Sequence, residues 1–309
     1  MNLDVVVVGS LNLDRTYTMP VLPDAGETLH ATGTMVSSGG KGANQAVAAS
    51  KLGARVALAG AVGCDDAGDA VLGAVSRAGV DTSLVRRIPD APTGEAVILV
   101  DGEGRNFIVV TEGANAAAVA PEPSAAVEAK VVVGGFEVRD ESVIGAAALA
   151  ESVGALFVLN PSPFRPLPAA IAGRVDVLVV NEHELAEAAG VDVDTESDAV
   201  LASARADLGA AALVVTLGAR GAVAVADDGS VVRVPAVTVQ ATDTSGAGDA
   251  FMGALVARMA AGASMVDAVA FAAAVGSYSA TNPGTQLSYP TLAELEGWMV
   301  LPPAVRRRM

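Results

Sequence analysis

The chain has 309 residues, 52% hydrophobic but only 3% aromatic, with a formal net charge of −16. This length and apolar content supply a sizeable core and exclude global disorder. So acidic a surface argues against nucleic-acid partners and against docking on anionic membranes, which leaves a nucleotide to be held by local donors and a metal ion.

Short β-branched runs alternate with Ala-rich segments of helical length from one end to the other. In chain order, strands are expected at Val5–Val8, Arg55–Ala59, Val131–Val133, Leu156–Leu159, Val177–Val180, Leu213–Thr216 and Val231–Val234. Helices are expected at Ala43–Leu52, Ala67–Ala78, Glu141–Ser152, Glu182–Ala189, Asp198–Leu208, Ala247–Ala261 and Met265–Ala280. Strands that are apolar throughout are buried on both faces, so the fold class is α/β, with a mainly parallel sheet between helical layers. In such sheets the site lies in loops beyond the carboxyl ends of the strands. Residues 15–36 and 92–112 break the alternation. Their short strands Glu95–Val100 and Arg105–Val110 are joined by a hairpin turn at Asp101-Gly102-Glu103-Gly104. Both regions read as one small β-structure outside the main sheet, a lid, on a single domain spanning residues 1–309. The N-terminal MNLDVVVVGS has no basic leader, and the apolar stretch Ala250–Ala280 is cut by Arg258 and Asp267. The single cysteine, Cys64, allows no intramolecular disulfide. A cytoplasmic location is therefore expected.

Five segments carry groups suited to chemistry. In Gly9-Ser10-Leu11-Asn12-Leu13-Asp14, a buried strand leads to an amide and a carboxylate two residues apart. In extended chain both side chains share a face and can grip adjacent hydroxyls of a polyol; the alternative is an Asx-type turn. In Ser38-Gly39-Gly40-Lys41-Gly42-Ala43-Asn44-Gln45, glycines admit a ligand to the backbone just before a helix start, or simply make a helix-entry turn. Gly42 stands where a Walker A loop needs Ser or Thr, so this is a different loop, with Lys41 and Asn44 as its polar candidates. In Asp243-Thr244-Ser245-Gly246-Ala247-Gly248-Asp249, backbone N–H groups at a helix N-terminus can hold a transferring phosphoryl group, with a first-turn carboxylate able to take a proton; the alternative for Asp249 is an ordinary helix-stabilising residue. Asn181-Glu182-His183-Glu184 offers Asn181 and Glu184 to Mg²⁺-bound water or phosphate, or is simply a capped helix start. Thr216-Leu217-Gly218-Ala219-Arg220-Gly221 contacts a nucleotide or merely turns the chain, with Arg220 as a solvated turn charge. His30 and His183 have no partner at metal or triad spacing.

These segments, with Gly26-Glu27-Thr28, Gly113-Ala114-Asn115 and Asn160-Pro161-Ser162-Pro163, run in the order found in the phosphofructokinase-B-type carbohydrate kinases, and residues 39–46 resemble its ribokinase branch. The resemblance covers nearly the whole chain. It implies a three-layer α/β/α sandwich with a small β-sheet lid, paired with its twin as a homodimer through the lid. It also implies ATP, Mg²⁺ and K⁺, with transfer of the γ-phosphate to the 5-hydroxyl of D-ribose. By position, Asn12, Asp14, Gly40, Lys41, Asn44 and Glu137 bind sugar, and Asp249 is the base. Gly246, Ala247 and Gly248 form the anion hole. Asn181, Glu184, Thr216, Gly218 and Gly221, with Gly248, face the nucleotide and its Mg²⁺. Asp243, Ser245, Ser279, Asn282, Gly284 and Ser288 offer an oxygen cage to K⁺. The family often carries Pro two residues after the sugar-binding Glu, whereas Glu137 is followed by Val138 and Arg139. Deoxyribose, another sugar or a nucleoside is the alternative acceptor, and a non-catalytic binder is a third reading.

Overall fold

The computed structural model describes residues 2–122, 127–302 and 306. Strands and helices follow one another as β1 (Val5–Val8), β2 (Asn12–Thr18), β3 (Gly33–Gly39), α1 (Lys41–Lys51), β4 (Val56–Gly63), α2 (Asp66–Arg77), β5 (Val85–Ile88), β6 (Gly94–Val100) and β7 (Asn106–Thr111). Then come β8 (Val131–Gly135), α3 (Asp140–Val153), β9 (Leu156–Asn160), β10 (Val175–Asn181), α4 (Glu182–Ala189), α5 (Asp198–Asp207) and β11 (Ala210–Thr216). The chain continues with β12 (Ala222–Val225), β13 (Val231–Val234), α6 (Ala247–Ala260), α7 (Met265–Ser279) and α8 (Leu292–Met299).

The large sheet has nine strands in the order β13-β12-β11-β10-β9-β8-β1-β4-β5. Strands from β11 through β5 run parallel, whereas β12 and β13 are antiparallel additions at one edge. The Val5–Val8 run occupies the middle of this sheet, and its side chains alternate between two cores. Val5 and Val7 pack with α1, α6 and α7. Val6 and Val8 pack with α3, α4 and α5. This is the expected α/β/α sandwich. Small residues allow α1 and α6 to cross closely, with Gly253 of α6 against Ala48 and the Gln45 carbonyl of α1. That crossing brings the first turns of the two helices together.

A separate four-stranded sheet has the order β3-β2-β6-β7. Its β6–β7 hairpin turns at the expected Asp101–Gly104 segment, where Asp101 accepts from the N–H groups of Glu103 and Arg105. The strands extend beyond the expected lid bounds. β2 begins at Asn12 and β3 ends at Gly39, because the β2–β3 ladder runs without a break from Asn12↔Gly39 to Thr18↔Gly33. Asn12 and Asp14 thus lie on a strand, where the sequence suggests a loop after β1. The short strands β5 and β12 and the helix α8 have no counterpart among the expected elements. β5 carries two arginines, β12 follows a Gly-flanked turn, and α8 spans only eight residues, so their local patterns are brief. Among the described residues no helix is long and apolar enough to cross a membrane.

Candidate active site

The carboxyl ends of the parallel strands converge on one edge of the large sheet. β1 leads to Ser10 and then to Asn12 at the start of β2, β8 delivers Glu137, β9 ends at Asn160, β10 at Asn181 and β11 at Thr216. The small sheet covers one half of this edge. Between them lies a cleft of about 770 Å³ lined by Asn12, Asp14, Gly40, Lys41, Asn44, Glu137, Asp243, Gly246 and Asp249, with Ala96, Ile98 and Ile108 of the small sheet above. A second, mainly apolar cleft of about 360 Å³ holds Thr216, Gly218, Gly221, Val237, Val239, Phe251 and Gly248. Ala241 and Thr244 line both, so the clefts adjoin at the start of α6.

α6 begins without a side-chain cap. Its N-cap residue, Gly246, has φ +72°, and a Cβ there would meet the Tyr289 hydroxyl at 2.7 Å. Gly248 faces open space. The uncapped turn leaves backbone N–H groups and the positive helix end directed at the junction of the clefts, which suits an anion.

Asp249 is buried at this junction. Its Oδ2 accepts from Asn44 Nδ2 at 3.0 Å and its Oδ1 from Gln45 Nε2 at 3.1 Å. Lys41 is one helical turn away on α1. The Asp249 carboxylate, helped by Glu137 and Glu184, holds its ammonium above the usual lysine range against the opposing effect of burial. Asn44 was expected to bind ligand. It lines the polar cleft, and its Oδ1 accepts from Gln286 Nε2 at 2.9 Å, which leaves one N–H and one lone pair of the amide for a ligand. Gln45, Asn160 and Gln286 had no role assigned from sequence. Lys41, Asn44 and Gln45 are spaced i, i+3, i+4, so the helical period itself marks Gln45 as facing the same way.

Glu137 is fixed by two groups, one of them held in turn by a third. Ser10 Oγ donates to its Oε2 at 2.6 Å, the Lys41 N–H donates to the same oxygen at 2.9 Å, and Gly42 N–H in turn donates to Ser10 Oγ. Val138 and Arg139, the departures from the family pattern, leave this attachment intact. Asn115 Nδ2 donates to Asn12 Oδ1 at 2.7 Å and its Oδ1 accepts from Leu11 N–H. Asn12 is thereby oriented with its NH₂ free for a ligand oxygen.

The Asp14 carboxyl is pushed up to about 7, first by burial and then by the carboxylates of Glu137 and Asp249. A carboxyl raised from 3.8 holds its proton better in the folded chain. Its contribution to stability is complete below about pH 4 and is lost as pH rises through 7. Asp14→Asn is therefore expected to stabilise the ligand-free protein at pH 8 by about 2 kcal/mol, against a ceiling of about 4. The gain should shrink as pH is lowered to 5. Urea unfolding at both pH values checks this, and equal gains would show that Asp14 titrates like an exposed carboxyl.

Asn181 and Glu184 form a complete capping box on α4, with Glu184 N–H donating to Asn181 Oδ1 at 2.8 Å and Asn181 N–H to Glu184 Oε2 at 2.9 Å. The cap engages only one Glu184 oxygen. Arg220 is bound in exposed ion pairs with Glu182 and Glu196. Asp243 joins the loop after α7, with its Oδ2 accepting from Gly284 N–H and its Oδ1 from Ser245 N–H, both at 2.8 Å. Ser279 and Ser288 are buried with hydroxyls 2.6 Å apart. The buried Tyr289 hydroxyl beside Gly246 has no hydrogen-bond partner among the described residues. One carboxylate with hydroxyl and carbonyl oxygens, and no nitrogen or sulfur donor, is a set that suits a hard cation. Asn282 spends its NH₂ on Thr281 Oγ1 and on the Tyr278 carbonyl, which leaves its amide oxygen for such a role.

An anion-holding helix start, a carboxylate beside it and one cleft on each side suit a phosphotransferase that passes a phosphoryl group from a nucleotide to a polar acceptor. Comparisons with known proteins agree. Residues 2–292 match the family described as pfkB family carbohydrate kinase. The chain is 37% identical to a deoxyribokinase of Salmonella typhi, over 97% of this chain and 99% of that one. It is 34% identical to a ribokinase of Haemophilus influenzae, over 95% and 97%. The structure of Arabidopsis thaliana ribokinase complexed with ribose and ATP superposes with a TM-score of 0.88 at 30% identity, covering 98% of this chain and all of that one. The chain belongs to the pfkB family of carbohydrate kinases. It is an ATP-dependent sugar kinase with a ribokinase-like fold.

Proposed function

We propose that the acceptor is D-ribose, phosphorylated on its 5-hydroxyl to give ribose 5-phosphate. The observation that carries this reading is Asp249, a buried carboxylate where the polar cleft beneath the small sheet meets the apolar cleft beside it. The sugar lies in the polar cleft, with Asn12 donating, Asp14 and Glu137 accepting, and Gly40, Lys41 and Asn44 completing the contacts. ATP lies in the other, its base among Val237, Val239 and Phe251 and its phosphates against Gly218, Gly221 and Gly248. Asp249 takes the proton of the acceptor hydroxyl as that oxygen bonds to the γ-phosphorus. The bond from phosphorus to the β,γ-bridging oxygen breaks, and ADP keeps the electron pair. The N–H groups of Gly246 and Gly248 and the Lys41 ammonium hold the charge that develops on the transferring group, joined by Ala247 N–H once it leaves the Thr244 carbonyl to which it donates at 3.2 Å.

Mg²⁺, reached through water from Asn181 and Glu184, would neutralise the β- and γ-phosphate oxygens. K⁺ would be held by oxygens of Asp243, Ser245, Ser279, Asn282, Gly284 and Ser288. The small sheet acts as a lid on a single kinase domain, and the enzyme works in the cytoplasm. It pairs with a second copy through this sheet. Supporting that pairing, the edge strand β7 is exposed along its whole length, with Phe107 and Val109 alternating with Ile108 and Val110, which line the cleft. Val109→Asp is expected to halve the sedimenting mass, and an unchanged mass would remove this surface from the interface.

ADP release from Mg-ATP with D-ribose, 2-deoxy-D-ribose, D-fructose and adenosine, each with and without K⁺, tests the reading. Ribose should give the highest kcat/KM, raised by K⁺. A higher value with deoxyribose, the acceptor named by the Salmonella relative, would keep the chemistry of Asp249 and replace the sugar.

A further inference from the structure

The hydrogen bonds around Asp249 form one chain whose direction is fixed chemically. At one end the Val179 carbonyl only accepts, so Asn160 turns its Nδ2 to it at 2.9 Å and its Oδ1 toward Gln45. Gln45 Nε2 then donates both to Asn160 Oδ1 at 3.2 Å and to Asp249 Oδ1. On the other side the ionised Asp249 carboxylate only accepts, so Asn44 must offer its Nδ2 and turn its Oδ1 away. That oxygen requires a donor, and Gln286 Nε2 supplies it. An Asn44 amide turned the other way would set oxygen against carboxylate.

Gln286 is itself anchored. Lys51, in the last turn of α1, donates from Nζ to the backbone carbonyls of Gln286, at 3.3 Å, and of Tyr289. The same loop receives Asp243 at Gly284. Gln286 thus sits on a loop tied both to the C-terminal end of the helix that carries Asn44 and to the segment that leads into α6.

We propose that Gln286 is a positioning residue for phosphoryl transfer, which braces the Asn44 amide in the orientation that Asp249 requires and through it holds the Asp249 carboxylate toward the acceptor hydroxyl. The proposal rests on Asp249 being the base. Gln286 acts on the base without lining either cleft, so its loss falls on turnover and spares nucleotide binding.

The test is a double-mutant cycle on initial rates of the full-length enzyme, with Mg-ATP and the best acceptor from the sugar panel. Gln286→Leu is expected to lower kcat about tenfold and to leave KM for Mg-ATP within about twofold. Added to Asn44→Ala, it should cost less than about twofold more, because residues that act through one another are not additive. Gln286→Glu, similar in shape but without the donor, should lose kcat like Gln286→Leu and serves if that variant does not fold. A kcat within twofold of the parent, a loss confined to KM for Mg-ATP, or costs that multiply in the double variant would each overturn the proposal. Asp249→Asn run in parallel separates the two readings. If it retains turnover, the base assignment fails; if it is inactive while Gln286→Leu and Gln286→Glu are wild-type-like, only the role of Gln286 fails.

Discussion

Asp249→Asn is expected to lower kcat by about 10²- to 10⁴-fold while KM for Mg-ATP changes little. The carboxylate is the buried acceptor on which two amide NH₂ groups converge, and it adjoins the helix start where the anionic group must be held. An amide at this position has no basic oxygen for the acceptor proton. It also sets its own NH₂ against a neighbouring NH₂ from Asn44 or Gln45. Asp249→Ala removes that second effect and should lose kcat to a similar extent, so the pair separates loss of the base from a disturbed network. Steady-state rates with unfolding midpoints for both variants check this. A kcat within tenfold of the parent in both would remove Asp249 from proton transfer.

Gly42→Ala is expected to destabilise the protein by about 3 kcal/mol and to lower kcat/KM at least 10²-fold, a large effect for one methyl group. A Cβ on Gly42 would lie 2.6 Å from the carbonyl carbon of Gly9 and from the Ser10 nitrogen. Both are backbone atoms of the loop after the central strand, so neither can rotate away. Relief requires α1 to move off the sheet edge. α1 carries Lys41, Asn44 and Gln45, and its Lys41 N–H holds Glu137, so one displacement disturbs the acceptor contacts and the support of the base together. Urea unfolding and initial rates measure the two effects. Parent-like values for both would mean that the Gly9–Gly42 contact opens without cost.

The lysine at the other end of α1 shows how this arrangement is braced. Lys51 gives up solvent to bind two loop carbonyls, and burial holds its ammonium below the usual lysine range, only partly offset by Glu294. The helix is therefore fixed at its start by close backbone packing and at its end by a cation on the loop that bears Gln286.

The α/β layering was legible from the amino-acid order, because Val5–Val8 and the other apolar runs are too short for helices and too continuous for one-sided strands. The Gly-rich start of α6 and the segment around Lys41 were legible for a local reason as well. Backbone approach, a helix N-terminus and a first-turn carboxylate all depend on residues adjacent in sequence. Their joint identity as a sugar-kinase site came from resemblance across the whole chain, not from spacing alone. What only the tertiary structure decided is partnership. Asn44 meets Asp249 across 205 positions and Gln286 across 242, and no local pattern reports which end of an amide faces which neighbour. Asn44 reads as a ligand contact in the sequence because its type and place allow it; the folded chain adds a carboxylate on one side of its amide and a donor on the other, partners that no local pattern names. The raised Asp14 carboxyl has the same origin, since burial and two acids from distant segments set it. Local order determines which groups the chain can offer, and long-range packing determines which of them remain free to act.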